Sequence, residues 1–267
     1  MNSINSLLYS IQFPPINRVH YIFGTMHLAT SDAFTHFDLA CKYMTLCNNY
    51  IGEMDLSGNE AISQGHPFSF DFGQSLSDYI SFKKISKYSN ICHKAFGFDL
   101  MNYLNFKPIF ILAILTEGMF DKNGVESLDL ALTSHALQLG LVIGGLETYQ
   151  EQIEIARRIP LDYQLKSLKD ALRNVTKFRR DTSTLTKAYS TGDLKLLAEK
   201  SKSSMGSIKS VMLYDRNVIM ARRIIEKIQS QREGASFFSL GAGHICGGNN
   251  VIKLLVQQGF VVKPIFQ

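Results

Sequence analysis

Five short apolar runs, rich in β-branched and aromatic residues, fall at 19–23, 50–54, 141–147, 235–240 and 260–265 and alternate with long stretches of helical periodicity. That alternation constrains the fold more than any other feature of the chain. Strand, helix and strand in succession build a sheet with helices on its faces, because a parallel neighbour can be reached only through a crossover. Between the first two runs, Ser31 or Asp32 is placed to cap a helix to about Cys47, with Phe34, Phe37, Cys41 and Met44 on one face. The two runs and that helix make one βαβ unit. Further helices are expected over 76–95, from Pro108 onward, over 124–139 with Gly140 at its stop, and over 161–189, 193–202, 211–231 and 249–258. Thr148 and Glu151 have capping-box spacing, and Pro160 interrupts the helix they open. The expected architecture is α/β: a central mixed sheet of short strands flanked by helices, with a large helical excursion. No linker divides the chain. Residues 1–267 are therefore read as a single domain in which 57–135 and 148–234 are mainly helical.

Composition sets limits on function. With 45% hydrophobic and 19% charged residues, the chain is neither disordered nor fibrous, and 267 residues can bury a core without disulfide or metal. The cysteines at 41, 47, 92 and 246 have no zinc-finger or C-x-x-C spacing and read as reduced thiols, which suits the cytoplasm. No signal peptide is visible at the start, and the longest apolar run, 109–115, is far short of the ~20 residues of a membrane span. The net charge of +5 is concentrated in 157–187, where nine Lys or Arg face three Asp. Such a run serves an anionic partner or forms the solvated face of a long helix. No aromatic interleaving or nucleic-acid motif accompanies it, so no nucleic acid is expected.

The strand ends carry the chemistry. Ligands of α/β sheets collect at the carboxyl ends of the strands, and here Gly24-Thr25-Met26-His27, Gly52-Glu53, Gly144-Gly145-Leu146-Glu147 and Gly241-Ala242-Gly243-His244 each set glycine before an ionisable residue. Glycine permits a tight turn and close approach of a ligand. Two imidazoles and two carboxylates on one rim are the inventory of a Zn, Mn, Co or Fe site, or of histidines bonded to loop carbonyls. Glu53 has no helix start behind it and is favoured as a chemical residue. Glu147 abuts the Thr148–Glu151 helix start and stays open. A dinucleotide loop at Gly241, Gly243 and Gly247 lacks the acidic ribose contact, since no Asp or Glu follows Glu233. Cys246 reads as a packed thiol, and G-x-S-x-G is absent.

Taken together, residues 21–27, Gly52-Glu53, Gly145-Leu146-Glu147-Thr148 with Gln150 and Gln152, Asp215-Arg216-Asn217 with Met220-Ala221, and residues 241–247 resemble the TraB/PrgY/GumN family over about 18–264. That family is related to the Tiki proteases and more distantly to erythromycin-esterase and ChaN-like folds. The resemblance implies an α/β fold in which both G-x-x-H motifs and a glutamate converge on one site, and a metal-dependent protease activity. Carried over by position, His27, Glu53 and His244 match the family's polar residues and would hold Mn, Co or Zn, with Glu53 as ligand or general base. Arg216 and Asn217 match its Arg-Asn pair, which would hold an oxyanion or substrate carboxylate, or else tie the long helix to the sheet. The chain departs from the family at Gly124-Val125-Glu126, where relatives often carry Asp; Glu126 and Glu147 are the additional candidates. The expected function is a metal-dependent hydrolase, read as a peptidase acting on a peptide or other small molecule. The rival is a protein that sequesters such a ligand without hydrolysis, as PrgY-like relatives are described as doing with peptide pheromones.

Overall fold

The computed structural model describes residues 6–16, 18–58, 68–119 and 126–266. Gly65, His66, Pro67, Gly124 and Val125 lie outside them. Among the described residues six strands form one mixed sheet: β1 (Leu8–Gln12), β2 (Val19–Thr25), β3 (Asn49–Met54), β4 (Val142–Glu147), β5 (Ser236–Gly241) and β6 (Val261–Ile265), in the spatial order β4-β3-β5-β2-β1-β6. β4, β3, β5 and β2 run parallel, while β1 is antiparallel to both β2 and β6. The α/β class with a mixed sheet is as the sequence predicts.

One expectation about the sheet, the number of strands, is corrected. There is a sixth strand, β1, whose Leu8 and Ile11 are completely buried. It is held on both sides, with Leu8 opposite Phe23 of β2 and opposite Ile265 of β6. Its polar Ser10 and Gln12 blunt the apolar signal. In addition, β2 and β3 are not neighbours. β5 lies between them, with Phe237 opposite both Tyr21 and Tyr50. A strand buried on both faces gains most in the centre of a sheet, and every residue of β5 is buried.

Ten α-helices are present among the described residues: α1 (Phe37–Met44), α2 (Phe82–Phe96), α3 (Pro108–Glu117), α4 (Leu128–Gln138), α5 (Tyr149–Arg157), α6 (Leu161–Arg173), α7 (Val175–Ser190), α8 (Leu194–Met205), α9 (Asp215–Ser230) and α10 (Val251–Gln257). The first helical segment is capped by Thr30, whose Oγ1 accepts from Ala33 N, and it begins as a 3-10 turn over Ser31–His36. The helix expected over 161–189 is broken at Asn174. That residue leaves helical geometry at φ −136° and caps the next helix by accepting from Lys177 N at 2.9 Å. The helix expected from 211 opens as a wide π-turn over Ser210–Tyr214 before α9. The capping box is present: Glu151 N donates to Thr148 Oγ1 and Thr148 N to the Glu151 carboxylate.

The chain divides into two compact units. One, residues 1–60, 125–151 and 185–267, contains the whole sheet and a core centred on Ile22, Phe23, Tyr50, Phe237 and Phe238. The other, residues 61–124 and 152–184, is helical and packs Ile85, Tyr88, Ile111, Leu115, Leu168 and Leu172. In that second unit the basic run lies on solvated helix faces. Lys166, Arg173, Lys177, Arg179 and Arg180 are exposed while Leu165, Leu168 and Leu172 are buried, and Lys177 pairs with Asp181 at 2.9 Å. Among the described residues no helix is long and apolar enough to cross a membrane.

Candidate functional site

Because β2, β3, β4 and β5 are parallel, their carboxyl ends meet on one rim, which lies wholly within the sheet-containing unit. Glu53 is near the end of β3, Glu147 at the end of β4, His27 just past β2 and His244 in the 3-10 turn after β5. The structure gathers three of these around a single atom. Nε2 of His27 stands 3.7 Å, and Nε2 of His244 3.9 Å, from Oε2 of Glu53.

The far side of each ring is fixed. His27 Nδ1 donates to Asp129 Oδ2 at 2.7 Å, and His244 Nδ1 donates to Asn217 Oδ1 at 2.6 Å. Asn217 is itself oriented by its Nδ2, which donates to the carbonyl of Asn249 at 2.5 Å. With both Nδ1 atoms acting as donors, each ring turns Nε2 toward Glu53, and in its neutral form that tautomer carries the Nε2 lone pair used by imidazole ligands.

Glu53 is clamped as well. Oε2 accepts from Gly241 N at 2.9 Å, and Oε1 accepts from the Arg216 guanidinium. Arg216 turns its other edge to Glu147, with Nε donating to Oε1 at 2.9 Å and Nη2 to Oε2 at 2.7 Å, while Nη1 reaches the Met212 carbonyl. Glu147 is thus bound to Arg216, and the helix start beside it is handled by Thr148 and Glu151. Arg216 and Asn217, candidates for holding an oxyanion or substrate carboxylate, have their side chains engaged inside the protein, at 8% and 1% exposure. They position Glu53, Glu147 and His244.

Gly241 matters by its lack of a side chain, not by a turn: none of the strand-end glycines 24, 52, 144, 145 and 241 has positive φ. A Cβ on Gly241 would stand 3.2 Å from His27 Nε2 and 3.3 Å from Glu53 Oε2, filling the space the three groups face.

The charges follow from these contacts. Burial works against an ionised Glu53, but His244, His27, Arg216 and the Gly241 N–H outweigh it and hold the carboxyl far below the usual range. Burial likewise works against a charged His27, yet Asp129 and Glu53 raise its pKa to about 9. Burial, with Arg216 and His27, lowers His244 to about 4 against the pull of Glu53. His27 is therefore charged and His244 neutral at pH 7. Burial pushes the Cys246 thiol up to about 11, which agrees with a packed, unreactive cysteine.

Formally, three carboxylates (Glu53, Asp129, Glu147) against one guanidinium leave −2 before any imidazole is protonated. A divalent ion matches that deficit, and two imidazole nitrogens with one carboxylate oxygen are a donor set that suits a divalent transition ion. Spacing is less complete. Donors sharing such an ion stand roughly 3.0–3.5 Å apart, and among the described residues no group of three His, Cys, Asp or Glu already has the spacing to hold one.

A family model for the TraB/PrgY/gumN family matches residues 7–264. The chain belongs to the TraB/PrgY/gumN family. Among its curated relatives, metalloprotease TIKI2 of Xenopus tropicalis is 28% identical across 61% of this chain and 37% of its own length. TIKI2 of Danio rerio is 21% identical across 97% of the chain and 61% of its own length. Human metalloprotease TIKI1 is 23% identical across 61% and 38%. The matches thus span between about a third and three fifths of those relatives' lengths. No solved structure matches.

Within this TraB/PrgY/gumN chain, the residue that sequence reasoning missed is Asp129. Glu126, the carboxylate singled out there, is exposed just before α4, and the acid set against His27 comes three residues later. Asp129 sits in the first turn of α4 behind the cap Ser127, where an acid reads as a helix-dipole residue. Its signal in the sequence was that of a capping residue, and only the fold reveals its partner.

Proposed function

We propose that this TraB/PrgY/gumN protein is a metal-dependent hydrolase of peptides, in which His27, His244 and Glu53 hold a Mn, Co or Zn ion. The observation that carries the reading is the convergence of two Nδ1-anchored imidazoles on one buried carboxylate oxygen, at 3.7 and 3.9 Å. Relatives named metalloproteases support the reaction class. When bound, a divalent transition ion supplies Lewis acidity toward a carbonyl oxygen and makes water nucleophilic near neutral pH.

The remaining work falls to the chain. Asp129 and Asn217 hold the rings in the ligating tautomer. Arg216 and Gly241 N–H fix the Glu53 carboxylate, and Glu147 fixes Arg216. Glu53 is too weak a base to accept a proton near pH 7 and acts as a ligand, since a general base works best with a pKa near the operating pH. The side chain of His27 is 60% exposed, whereas that of His244 is sealed at 5%. His27 gives up its proton as the ion binds.

Elemental analysis after loading with Mn, Co or Zn, together with mass spectrometry of a mixed peptide pool, tests this. About one ion per chain, lost in His27→Ala and His244→Ala, with peptides cut only by the loaded protein, is the expected result. Failure to retain any of the three ions overturns the metal reading. An ion retained with every peptide recovered intact overturns hydrolysis and leaves ligand capture.

A further inference from the structure

The sheet-containing unit carries a cleft of about 720 Å3 beside the site, within the roughly 300–1,000 Å3 usual for ligand sites. Asn217 and Gly243 are among its lining residues, so it comes within one hydrogen bond of His244. Leu194, Ala198, Leu213 and Ile245 contribute apolar lining. One wall is backbone: Gly247 and Gly248 belong to the lining, and no atom would meet a Cβ within 4 Å at Gly248. The π-turn over Ser210–Tyr214 delivers Leu213 and Tyr214 to the lining immediately before Arg216 and Asn217. Wide turns of this kind recur where a helix is bent to a functional purpose.

The rim is strongly one-signed. Lys195, Lys202, Lys209 and Lys253 line the cleft against a single acid, Glu199. Lys195, Lys202 and Lys253 are exposed, Lys209 lies 5.2 Å over the Tyr214 ring, and none of the four is held in an ion pair among the described residues. Four ammonium groups around a partly apolar trough match a chain that alternates carboxylates with apolar side chains, and they repel a basic one.

We propose that this cleft, which borders the site at Asn217 and Gly243, binds an acidic, apolar-interspersed segment of the peptide substrate. The substrate class is then acidic peptides. Cleavage of the bound segment rests on the peptidase reading, whereas binding itself is measured separately.

The test is fluorescence anisotropy with a rhodamine-labelled decapeptide of alternating Glu and Leu, compared with its Gln-for-Glu counterpart. One exposed lysine–carboxylate contact changes affinity about 1.5- to 5-fold. The variant Lys195→Gln/Lys202→Gln/Lys209→Gln/Lys253→Gln should therefore bind the acidic peptide at least ~5-fold more weakly, and with a shallower salt dependence. A control, Lys83→Gln/Lys84→Gln/Lys87→Gln/Lys94→Gln on α2, removes the same net charge elsewhere and should bind like wild type. Equal affinity for acidic and Gln peptides, or equal loss in both quadruple variants, overturns the proposal. An acidic peptide that binds in the cleft but survives incubation with the metal-loaded protein leaves the cleft assignment standing and overturns hydrolysis.

Discussion

Replacing Arg216 with Met tests whether its charge, and not its bulk, holds the rim together. Met fills much of the same volume but leaves the side chains of Glu53 and Glu147, 9% and 2% exposed, without their shared cation. Breaking a buried ion pair from one side costs about 3–5 kcal/mol, because the remaining charge stays desolvated. At about 2–4 °C per kcal/mol for a chain of this size, the melting temperature should fall by roughly 6–20 °C at pH 7. The loss must also depend on pH. In the native protein the Glu53 pKa is depressed, so its stabilising contribution is complete above the ordinary carboxylate range and disappears as pH falls toward the folded value. Without Arg216, one of the groups that lower it, the same buried carboxylate takes up a proton at a higher pH than in wild type, and protonation relieves it. The gap between wild type and Arg216→Met should therefore narrow from pH 7 to pH 4, measured by differential scanning calorimetry. The triple variant Glu53→Gln/Glu147→Gln/Arg216→Met should recover part of the loss. A drop of less than 2 °C, or a gap that stays constant with pH, would refute the assignment of Arg216 as the counter-ion of both acids.

The same geometry sets three further outcomes. Asp129→Asn should bring the His27 pKa down from about 9 toward the ordinary histidine value, read from the ring protons by NMR against a His27→Gln control; an unchanged pKa would mean that Asp129 is not its anchor. Since the folded pKa of His27 is raised, its contribution to stability is complete below the unfolded value of about 6.5 and is lost as pH rises through about 9, so wild type should lose stability relative to His27→Gln across that window. Gly241→Ala sets a methyl 3.2 Å from His27 Nε2 and 3.3 Å from Glu53 Oε2 and should weaken metal binding at least tenfold by titration calorimetry while moving the melting temperature by only a few degrees; unchanged affinity would put the ion elsewhere.

The sequence carried the rim but not its wiring. His27, Glu53, Glu147 and His244 could be found because each ends an apolar run, and strand ends in α/β sheets share one edge wherever the strands are parallel. The lateral order of strands is a tertiary fact: nothing local tells Phe237 that it will lie between Tyr21 and Tyr50. β1 was hidden because Ser10 and Gln12 interrupt its apolar pattern, and its burial depends on β6, more than two hundred residues away. Asn174 lies within a continuous helical pattern, and its role as a break comes from its side chain replacing a backbone bond. Arg216 and Asn217 were visible as polar residues on a long helix, whereas their pairing with residues 53, 147 and 244 was not.

The central place of β5 also bears on when the rim can come into being. Synthesis at roughly 5–20 residues per second releases β2, β3 and β4 well before the strand that must lie between β2 and β3. Until residues 236–244 have emerged, Glu53 lacks the Gly241 N–H that holds it and the sheet has an open slot at its middle. A nascent or truncated chain that stops short of that point can form helices, but it cannot bring the two histidines to one carboxylate. The rim is thus silent through most of synthesis and is assembled by the arrival of a single strand.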